Sequence, residues 1–361
     1  MEKQFSQERK SRVVRIGDTY IGGDHTVKIQ SMTNTLTTNI QSTIEQINSL
    51  ERVGCEIIRV AIPDEQSAKA IPEIKKAINI PLVADIHFDY KLAILSAKMG
   101  ADKLRINPGN IGADWKIKEV VQAAKDSSIP IRIGVNSGSL EKKLVKKSNI
   151  ITPKLFLESV QREIDILEGE DFQDIVVALK SSDIATTIET NILFASQYDY
   201  PLHIGITEAG TYLSGTVKSS LGLGILLLRD IGETIRVSLS ADPIYEVLVA
   251  KEILKYTGKR NDLPEIISCP TCARAEIDVI KIANELEKNL SSVKGGIRIA
   301  VMGCVVNGPG EAKEADIGIA GSRDGGLIFS RGKPLYFVKN SAILKTLLDE
   351  ITKYLNEKER R

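Results

Sequence analysis

The first 258 residues alternate between short β-branched segments and longer segments with the apolar spacing of amphipathic helices. The pattern predicts eight strands, which are Val27–Met32, Ile57–Ile62, Leu82–Ile86, Leu104–Asn107, Ile131–Val135, Ile175–Lys180, Leu202–Thr207 and Ile235–Ser240. The clearest helices between them are Asn39–Val53, Leu155–Leu167, Ala185–Ser196 and Tyr245–Tyr256. Eight β–α units in about 250 residues favour an α/β fold of the (β/α)8 TIM-barrel type over an open doubly wound sheet.

A second, smaller α+β domain is predicted after the barrel. The composition changes between residues 256 and 264, which gives domains 1–258 and 259–361. The pattern of the second domain predicts helices Ala275–Leu290 and Ala342–Leu355, strands Ile297–Met302 and Asp316–Ala320, and a hairpin around Gly332.

Basic residues occupy one face of several predicted strands. Side chains alternate between the two faces of a strand, and in a barrel the apolar face packs against the helices. The opposite, polar face must then point into the barrel. The inward basic residues are Arg59, Arg105, Arg132, Lys180 and Arg236. The segment that ends at Lys180 is apolar on both faces, so the direction of this side chain is less well defined.

Two interpretations of these inward cations remain open. One is an internal network with carboxylates such as Asp85 and Glu208, because buried cations without partners are costly. The other is a pocket for a multiply charged anion such as a diphosphate, which the planar fork of arginine binds bidentately. Glycine-rich segments 107–112 and 136–139 follow two of the strands, where their backbone N–H groups can reach phosphate oxygens.

Composition and charge exclude several classes of protein. The 361 residues carry a net charge of +1, so no bulk field favours nucleic acid or an anionic membrane. The N-terminal segment is charged and lacks the apolar region of a secretory signal. The longest apolar stretch, Ser219–Leu228, is too short to cross a bilayer, which takes about 20 residues. We expect a cytoplasmic protein with no nucleic-acid or membrane partner.

Three of the four cysteines lie close together in the second predicted domain. Cys269 and Cys272 form a CxxC motif, and Cys304 follows in a glycine-rich segment. Four cysteines are too few for a disulfide scaffold, so in a reducing compartment this cluster indicates metal ligands or redox groups. An iron–sulfur cluster is favoured, with zinc or plain thiols as alternatives. A fourth ligand would be water, substrate or an oxygen donor, for which Glu311 is the nearest candidate.

Several of these motifs together resemble one enzyme family. Ser268-Cys-Pro-Thr-Cys-Ala-Arg274 and Val301-Met-Gly-Cys-Val-Val-Asn-Gly-Pro-Gly-Glu311 resemble the 4-hydroxy-3-methylbut-2-en-1-yl diphosphate synthase family of the methylerythritol phosphate route to isoprenoids, in its two-domain bacterial form. Lys103-Leu-Arg-Ile-Asn-Pro-Gly-Asn110 and Ile131-Arg-Ile-Gly-Val-Asn-Ser-Gly138 are also similar to that family. The resemblance spans nearly the whole chain.

The resemblance implies a (β/α)8 barrel joined to a small [4Fe-4S] domain. It implies reductive ring opening of 2-C-methyl-D-erythritol 2,4-cyclodiphosphate with electrons from ferredoxin or flavodoxin, in a homodimer whose active site is shared between subunits. The implied cluster ligands are Cys269, Cys272, Cys304 and Glu311. The implied substrate contacts are Arg59, Arg105, Arg132, Asn136, Lys180, Thr207, Arg236, Ser238 and Asn307. Glu208 is the implied candidate for a catalytic proton donor, and Glu311 has a second, catalytic role beside the iron.

Two other functions remain possible on sequence grounds. A barrel transferase of the pterin-binding kind has similar strand ends, and its small domain would hold zinc. A non-enzymatic iron–sulfur sensor or carrier would share the cysteine motifs but would not need five inward cations.

Overall fold

The computed structural model describes residues 9–136, 152–290, 293, 295–305 and 313–359. The chain divides into two units, Met1–Lys259 and Arg260–Arg361. The first unit begins with an antiparallel hairpin of strands β1 (Val14–Ile16) and β2 (Thr19–Ile21), which the sequence analysis did not predict. The buried side chains of Val14, Ile16 and Ile21 pack against Ile57, Val83 and Val176, so this hairpin covers the amino-terminal end of the strands that follow.

Eight parallel strands form the barrel of the first unit. They are β3 (Lys28–Met32), β4 (Ile57–Ala61), β5 (Leu82–Asp85), β6 (Lys103–Ile106), β7 (Ile131–Asn136), β8 (Ile175–Lys180), β9 (His203–Ile204) and β10 (Thr234–Ile235). Hydrogen bonds join them in the order β8-β7-β6-β5-β4-β3-β10-β9, and a bridge between Val177 and Leu202 joins β8 to β9. The predicted (β/α)8 fold is confirmed.

The helices in the described residues of the first unit follow the strands in turn. They are α1 (Ile40–Arg52), α2 (Glu65–Lys76), α3 (Tyr90–Lys98), α4 (Pro108–Ile111), α5 (Asp114–Asp126), α6 (Pro153–Glu168), α7 (Ile184–Ala195), α8 (Tyr212–Leu227) and α9 (Pro243–Tyr256). Asn39, Asp64, Asp89, Asp183 and Asp242 each precede a helix and accept a hydrogen bond from a backbone N–H of its first turn. Such caps satisfy N–H groups that have no partner within the helix and fix where it begins.

The register of the strands sorts the inward side chains into levels, because strand tilt brings alternate strands of a barrel to a common height. Level 1, nearest the hairpin, contains Ile57, Lys103, Val176 and Thr234. Level 2 contains Gln30, Val83, Arg132 and His203. Level 3 contains Arg59, Arg105, Ala178 and Arg236. Level 4 contains Met32, Asp85, Gly134 and Gly205, and Lys180 is one level higher at the carboxyl end of β8.

Two predicted strands were too long. The segments Leu202–Thr207 and Ile235–Ser240 pair as strands only over His203–Ile204 and Thr234–Ile235. Ile206 and Val237 remain buried beyond those ends, so the apolar alternation continues although ladder pairing stops. Periodicity reports burial, and it therefore overestimated the length of the hydrogen-bonded strand.

In its described residues, the second unit contains a five-stranded mixed sheet and two α-helices. Its strands are β11 (Glu265–Ser268), β12 (Arg298–Met302), β13 (Ile317–Ser322), β14 (Gly325–Ser330) and β15 (Lys333–Lys339), and its helices are α10 (Val279–Leu290) and α11 (Ile343–Glu359). The first three strands run parallel and the last two pairings are antiparallel. Val279, Ile282, Leu286 and Leu290 lie on one side of α10 and pack into the core of this unit.

None of the helices in the described ranges is both long enough and apolar enough to cross a membrane. The apolar stretch Ser219–Leu228 lies largely within α8.

Candidate functional site

The three arginines of level 3 lie beside buried carboxylates, and two of them share Asp85. Asp85 Oδ1 lies 3.0 Å from Arg105 Nη1, and Asp85 Oδ2 lies 3.7 Å from Arg59 Nε. Burial by itself raises the pKa of Asp85, but Arg59, His87 and Arg105 together lower it below its usual range. Asp85 is therefore a carboxylate that holds two of the predicted cations in place.

Arg236 has a different carboxylate partner. Its Nε lies 3.6 Å from Glu246 Oε2, which belongs to α9 on the outside of the barrel. Glu246 also accepts hydrogen bonds from Ser31 Oγ and from the backbone N–H of Leu239. Glu246 is buried. The sequence analysis did not identify it, because the apolar spacing of α9 predicts only that the face toward the barrel is buried.

Arg132 and Lys180 are buried, although each has a long basic side chain. Arg132 is 1% exposed, and its Nη1 donates to Gln30 Oε1 across the barrel at 3.1 Å. Burial, reinforced by the surrounding arginines, lowers the pKa of both Arg132 and Lys180 well below their usual values. Burial likewise lowers the pKa of Arg59 to about 9, although Asp85 opposes the change.

Two glycines make room for these long side chains. A Cβ at Gly134 would lie 3.1 Å from Arg105 Nε, and a Cβ at Gly205 would lie 2.6 Å from Lys180 Nζ. A larger residue at either glycine position would displace the neighbouring cation, Arg105 or Lys180. The candidate site is therefore a basic barrel interior filled by long side chains, with only glycine backbone beside two of them.

The structure shows part of the predicted internal network. Asp85 and Glu246 form the internal network, whereas Glu208 is exposed and does not belong to it. In the described ranges of the barrel interior, two buried carboxylates face five predicted cations, so positive charge remains in excess. An excess of this kind needs an anionic ligand when the barrel excludes water.

Four further predicted residues lie at the carboxyl ends of the strands. Asn136 ends β7 and is partly exposed, and Thr207 and Ser238 lie just beyond β9 and β10 and are also partly exposed. Glu208 follows with a backbone φ of 52°, in the left-handed region that non-glycine residues rarely adopt. Strain of this kind is concentrated at functional sites.

Lys103 and His203 are inward residues to which the sequence analysis gave no role. Both are 0% exposed. Lys103 precedes Arg105 by two residues, so the same alternation that identified Arg105 places Lys103 on the same face. Burial lowers the pKa of Lys103 well below its usual value, and the charges of Arg132 and Arg59 lower it further.

Asp85→Asn is expected to destabilise the barrel by about 3–5 kcal/mol at pH 7, because it leaves Arg59 and Arg105 without their carboxylate. The folded pKa of Asp85 is below the unfolded value of about 3.9, so the difference is fully present above about pH 4 and shrinks as the pH falls further. Fluorescence of Trp115, the single tryptophan, reports unfolding of this unit in urea. The control Asp18→Asn removes a fully exposed carboxylate and should change stability by less than about 0.5 kcal/mol. Equal effects of the two variants would contradict the assigned role of Asp85.

The cysteines lie at the carboxyl ends of two adjacent parallel strands of the second unit. Cys269 follows β11 and Cys304 follows β12, and these strands pair from Glu265↔Arg298 to Ser268↔Val301. The backbone N–H of Gly303 points at Cys269 Sγ, with an N···S distance of 3.2 Å. Cys272 is exposed, whereas Cys269 and Cys304 are partly exposed.

The donor chemistry of this edge fits a sulfur-rich cluster. Cys269 and Cys304 follow adjacent strands, Cys272 lies three residues after Cys269, and an N–H···S hydrogen bond of the Gly303 type stabilises thiolates and tunes the potential of iron–sulfur centres. A Cβ at Gly321 would collide with the carbonyl oxygen of Gly303, so the backbone approaches closely here. In the described ranges, no three or more His, Cys, Asp or Glu side chains are arranged to hold a metal ion. Glu311 and Asn307, the other predicted site residues of this unit, lie outside the described residues.

Comparison with known proteins gives consistent matches for both units. The GcpE TIM-barrel domain matches residues 11–251, and the GcpE protein C-terminal domain matches residues 265–353. A protein of Caldanaerobacter subterraneus subsp. tengcongensis named 4-hydroxy-3-methylbut-2-en-1-yl diphosphate synthase (flavodoxin) is 56% identical over 353 residues, which cover 98% of this chain and 99% of that protein. The protein of the same name from Bacillus subtilis is 53% identical and covers 96% of this chain and 92% of its own. A type I 3-dehydroquinate dehydratase from Clostridium difficile, 15% identical, superposes over 69% of this chain and 98% of its own with a TM-score of 0.52, which supports the barrel fold.

Proposed function

Because the chain belongs to the GcpE family of 4-hydroxy-3-methylbut-2-en-1-yl diphosphate synthases, we propose that its basic barrel binds a cyclic diphosphate and that its cysteine edge carries the redox centre. The enzyme is an oxidoreductase of isoprenoid biosynthesis with flavodoxin as its electron donor. It converts 2-C-methyl-D-erythritol 2,4-cyclodiphosphate to 4-hydroxy-3-methylbut-2-enyl diphosphate by two-electron reductive ring opening and loss of water. The rival pterin-type transferase and the non-enzymatic carrier do not fit this family.

The excess of buried positive charge in the barrel carries the proposal for substrate binding. Arg59, Arg105 and Arg236 at level 3, with Arg132 below and Lys180 above, surround a space into which a diphosphate brings the missing negative charge. Asn136, Thr207 and Ser238 line the carboxyl ends of the strands and supply neutral donors.

The same charge excess favours the ring-opened state over the cyclic one. Breaking the ring C–O bond turns a bridging phosphate oxygen into a terminal one, so the negative charge of the diphosphate increases. A cavity with preorganised cations stabilises this added charge more than it stabilises the substrate. The cations therefore contribute to the reaction rate as well as to binding.

We assign a [4Fe-4S] cluster to Cys269, Cys272 and Cys304, with Glu311 as the fourth ligand. When bound, such a cluster supplies single electrons and a Lewis-acidic iron. Gly303 N–H holds the Cys269 sulfur, and the two parallel strands fix the positions of Cys269 and Cys304. Asn307 is assigned to the substrate from the side of the cluster.

Loss of water requires a proton for the departing hydroxyl group, and Glu208 is our candidate donor. Its carboxyl lies on an exposed turn at the carboxyl end of β9, on the side of the barrel where barrel enzymes place their active sites. We further propose a homodimer in which the second unit of one subunit serves the barrel of its partner.

Anaerobic turnover tests this function directly. The purified chain should contain about four irons and four sulfides per chain, as expected for a [4Fe-4S] centre. With reduced flavodoxin it should convert the cyclic diphosphate to the linear hydroxybutenyl diphosphate, which phosphorus NMR distinguishes by its terminal phosphate. The same mixture with oxidised flavodoxin is the control and should show no product. A colourless, zinc-containing chain without turnover would contradict the proposal.

A further inference from the structure

The floor of the barrel, defined here as levels 1 and 2, contains several polar nitrogens with no hydrogen-bond partner. In the described part of the chain these are Lys103 Nζ, Arg132 Nε, Gln30 Nε2 and His203 Nε2. Each residue is at most 1% exposed. A native protein pairs the great majority of such groups, so four of them at adjacent levels need an acceptor beyond the described side chains.

The floor is closed off from the amino-terminal end. Ile57 and Val176 of level 1 pack against Val14, Ile16 and Ile21 of the hairpin. On the opposite side, level 3 carries Arg59, Arg105 and Arg236, whose carboxylate partners are Asp85 and Glu246. Among the described residues, neither carboxylate forms a hydrogen bond or ion pair with a floor residue, so the floor is a polar compartment beneath the diphosphate pocket.

A ligand that satisfies these groups must accept hydrogen bonds and has little opportunity to donate them. Lysine, the arginine Nε and the glutamine amide nitrogen are donors only. Gln30 Oε1 already accepts from Arg132, and Thr234 Oγ1 already pairs with His203 Nδ1. His203 Nε2, whose role depends on the tautomer, offers a water molecule at most one acceptor beside three donor nitrogens, whereas a halide ion accepts several hydrogen bonds and donates none.

The charges around the floor also favour an anion. Within the described ranges, the hydrogen-bond partner of the Arg132 guanidinium is the neutral Gln30 and not a carboxylate. The charges of Arg132 and Arg59 also act unfavourably on Lys103. A negative ion between them converts this repulsion into attraction, which is strong where water is excluded.

We propose that the floor of the barrel binds a small monovalent inorganic anion, such as chloride, within reach of Lys103, Arg132 and Gln30. This site lies below the diphosphate pocket, and Arg132 is the residue that the two sites share. The anion supports Arg132 from below and is part of the folded barrel both with and without substrate.

Bromide replaces chloride and gives an anomalous diffraction signal, so it tests the site in the unmodified protein. Crystals of the full chain grown in sodium bromide should show an anomalous peak at levels 1 and 2, beside Lys103. The peak should persist when the cyclic diphosphate is bound. A floor without bromide, or bromide that leaves when substrate binds, would overturn the proposal.

A solution measurement uses Lys103→Met, which replaces the amine with an apolar chain of similar length. Thermal unfolding of the wild-type barrel, followed by Trp115 fluorescence, should shift upward by about 2–4 °C when chloride replaces gluconate at constant ionic strength and exceeds its dissociation constant several-fold. Lys103→Met should lose this shift and be at least as stable as wild type in gluconate, because an uncompensated buried amine is gone.

The matched control is Lys69→Met, which removes an exposed lysine paired with Glu65 on α2. It should keep the full chloride response. A chloride response that persists in Lys103→Met would place the ion at level 3 or above and contradict the floor site. A wild-type protein without any chloride response would also contradict it.

Discussion

Replacing Cys304 with serine is expected to abolish turnover and to remove most of the iron. Cys304 follows β12, whose neighbour β11 leads directly to Cys269, and serine is a far poorer ligand for iron than a thiolate. Changes to residues that only orient a metal's ligands already cost about 10–100-fold in affinity or activity, so loss of a ligand should exceed that range. Iron and sulfide counts, the visible spectrum and the flavodoxin-dependent rate should fall together, and Cys269→Ser and Cys272→Ser should behave alike.

Cys55 provides the matched control, because it is the one cysteine outside this edge. It is 2% exposed in the barrel core, and burial raises the pKa of its thiol to about 12, so it is not a thiolate ligand at neutral pH. Cys55→Ala should keep iron, spectrum and turnover and should lose about 1 kcal/mol of barrel stability through the small cavity. Full turnover by the three serine variants, or bleaching by Cys55→Ala, would contradict the cluster assignment.

The barrel was predictable because the alternation of residues in its strands gives two kinds of information. Ile131, Ile133 and Val135 alternate with Arg132 and Gly134, which defines the strand and also the direction of each side chain. The same alternation in the neighbouring strands was enough to predict that their arginines share one interior. The cysteines were identified as candidate ligands for a different reason, since the spacing of the CxxC motif and Cys304 indicates ligands regardless of fold.

The features that escaped prediction depend on contacts that are distant in the sequence. The hairpin of β1 and β2 is short, and only its packing on Ile57 and Val176 shows that it closes the barrel. Glu246 lies on a helix, and its partner Arg236 is on a strand, so neither local pattern reports the pair. Lys103 could have been found, because alternation from Arg105 points to it, but it falls before the predicted start of that strand at Leu104.

Arg132→Met is expected to weaken substrate binding by about 100-fold or more while leaving the iron content unchanged. Loss of a buried charged contact of this kind typically costs about 2–5 kcal/mol, which corresponds to roughly 30- to several-thousand-fold. The variant should still fold, because the described hydrogen-bond partner of Arg132 is the neutral Gln30 and Asp85 keeps Arg59 and Arg105 as its partners. The dissociation constant of the cyclic diphosphate, measured by calorimetry, checks the first effect, and iron analysis checks the second.

The control for Arg132 is Arg298→Met, in which an exposed arginine of the second unit loses its pairs with Glu265 and Glu314. It should leave substrate affinity unchanged, since exposed pairs contribute little.

Arg132→Met also tests the proposed dimer when it is mixed with Cys304→Ser. If each active site combines one barrel with the partner's cluster, mixed dimers regain one functional site and the mixture recovers up to about a quarter of wild-type activity. If each subunit works alone, the mixture stays inactive, and the shared site must be abandoned while the assignments of Arg132 and Cys304 remain.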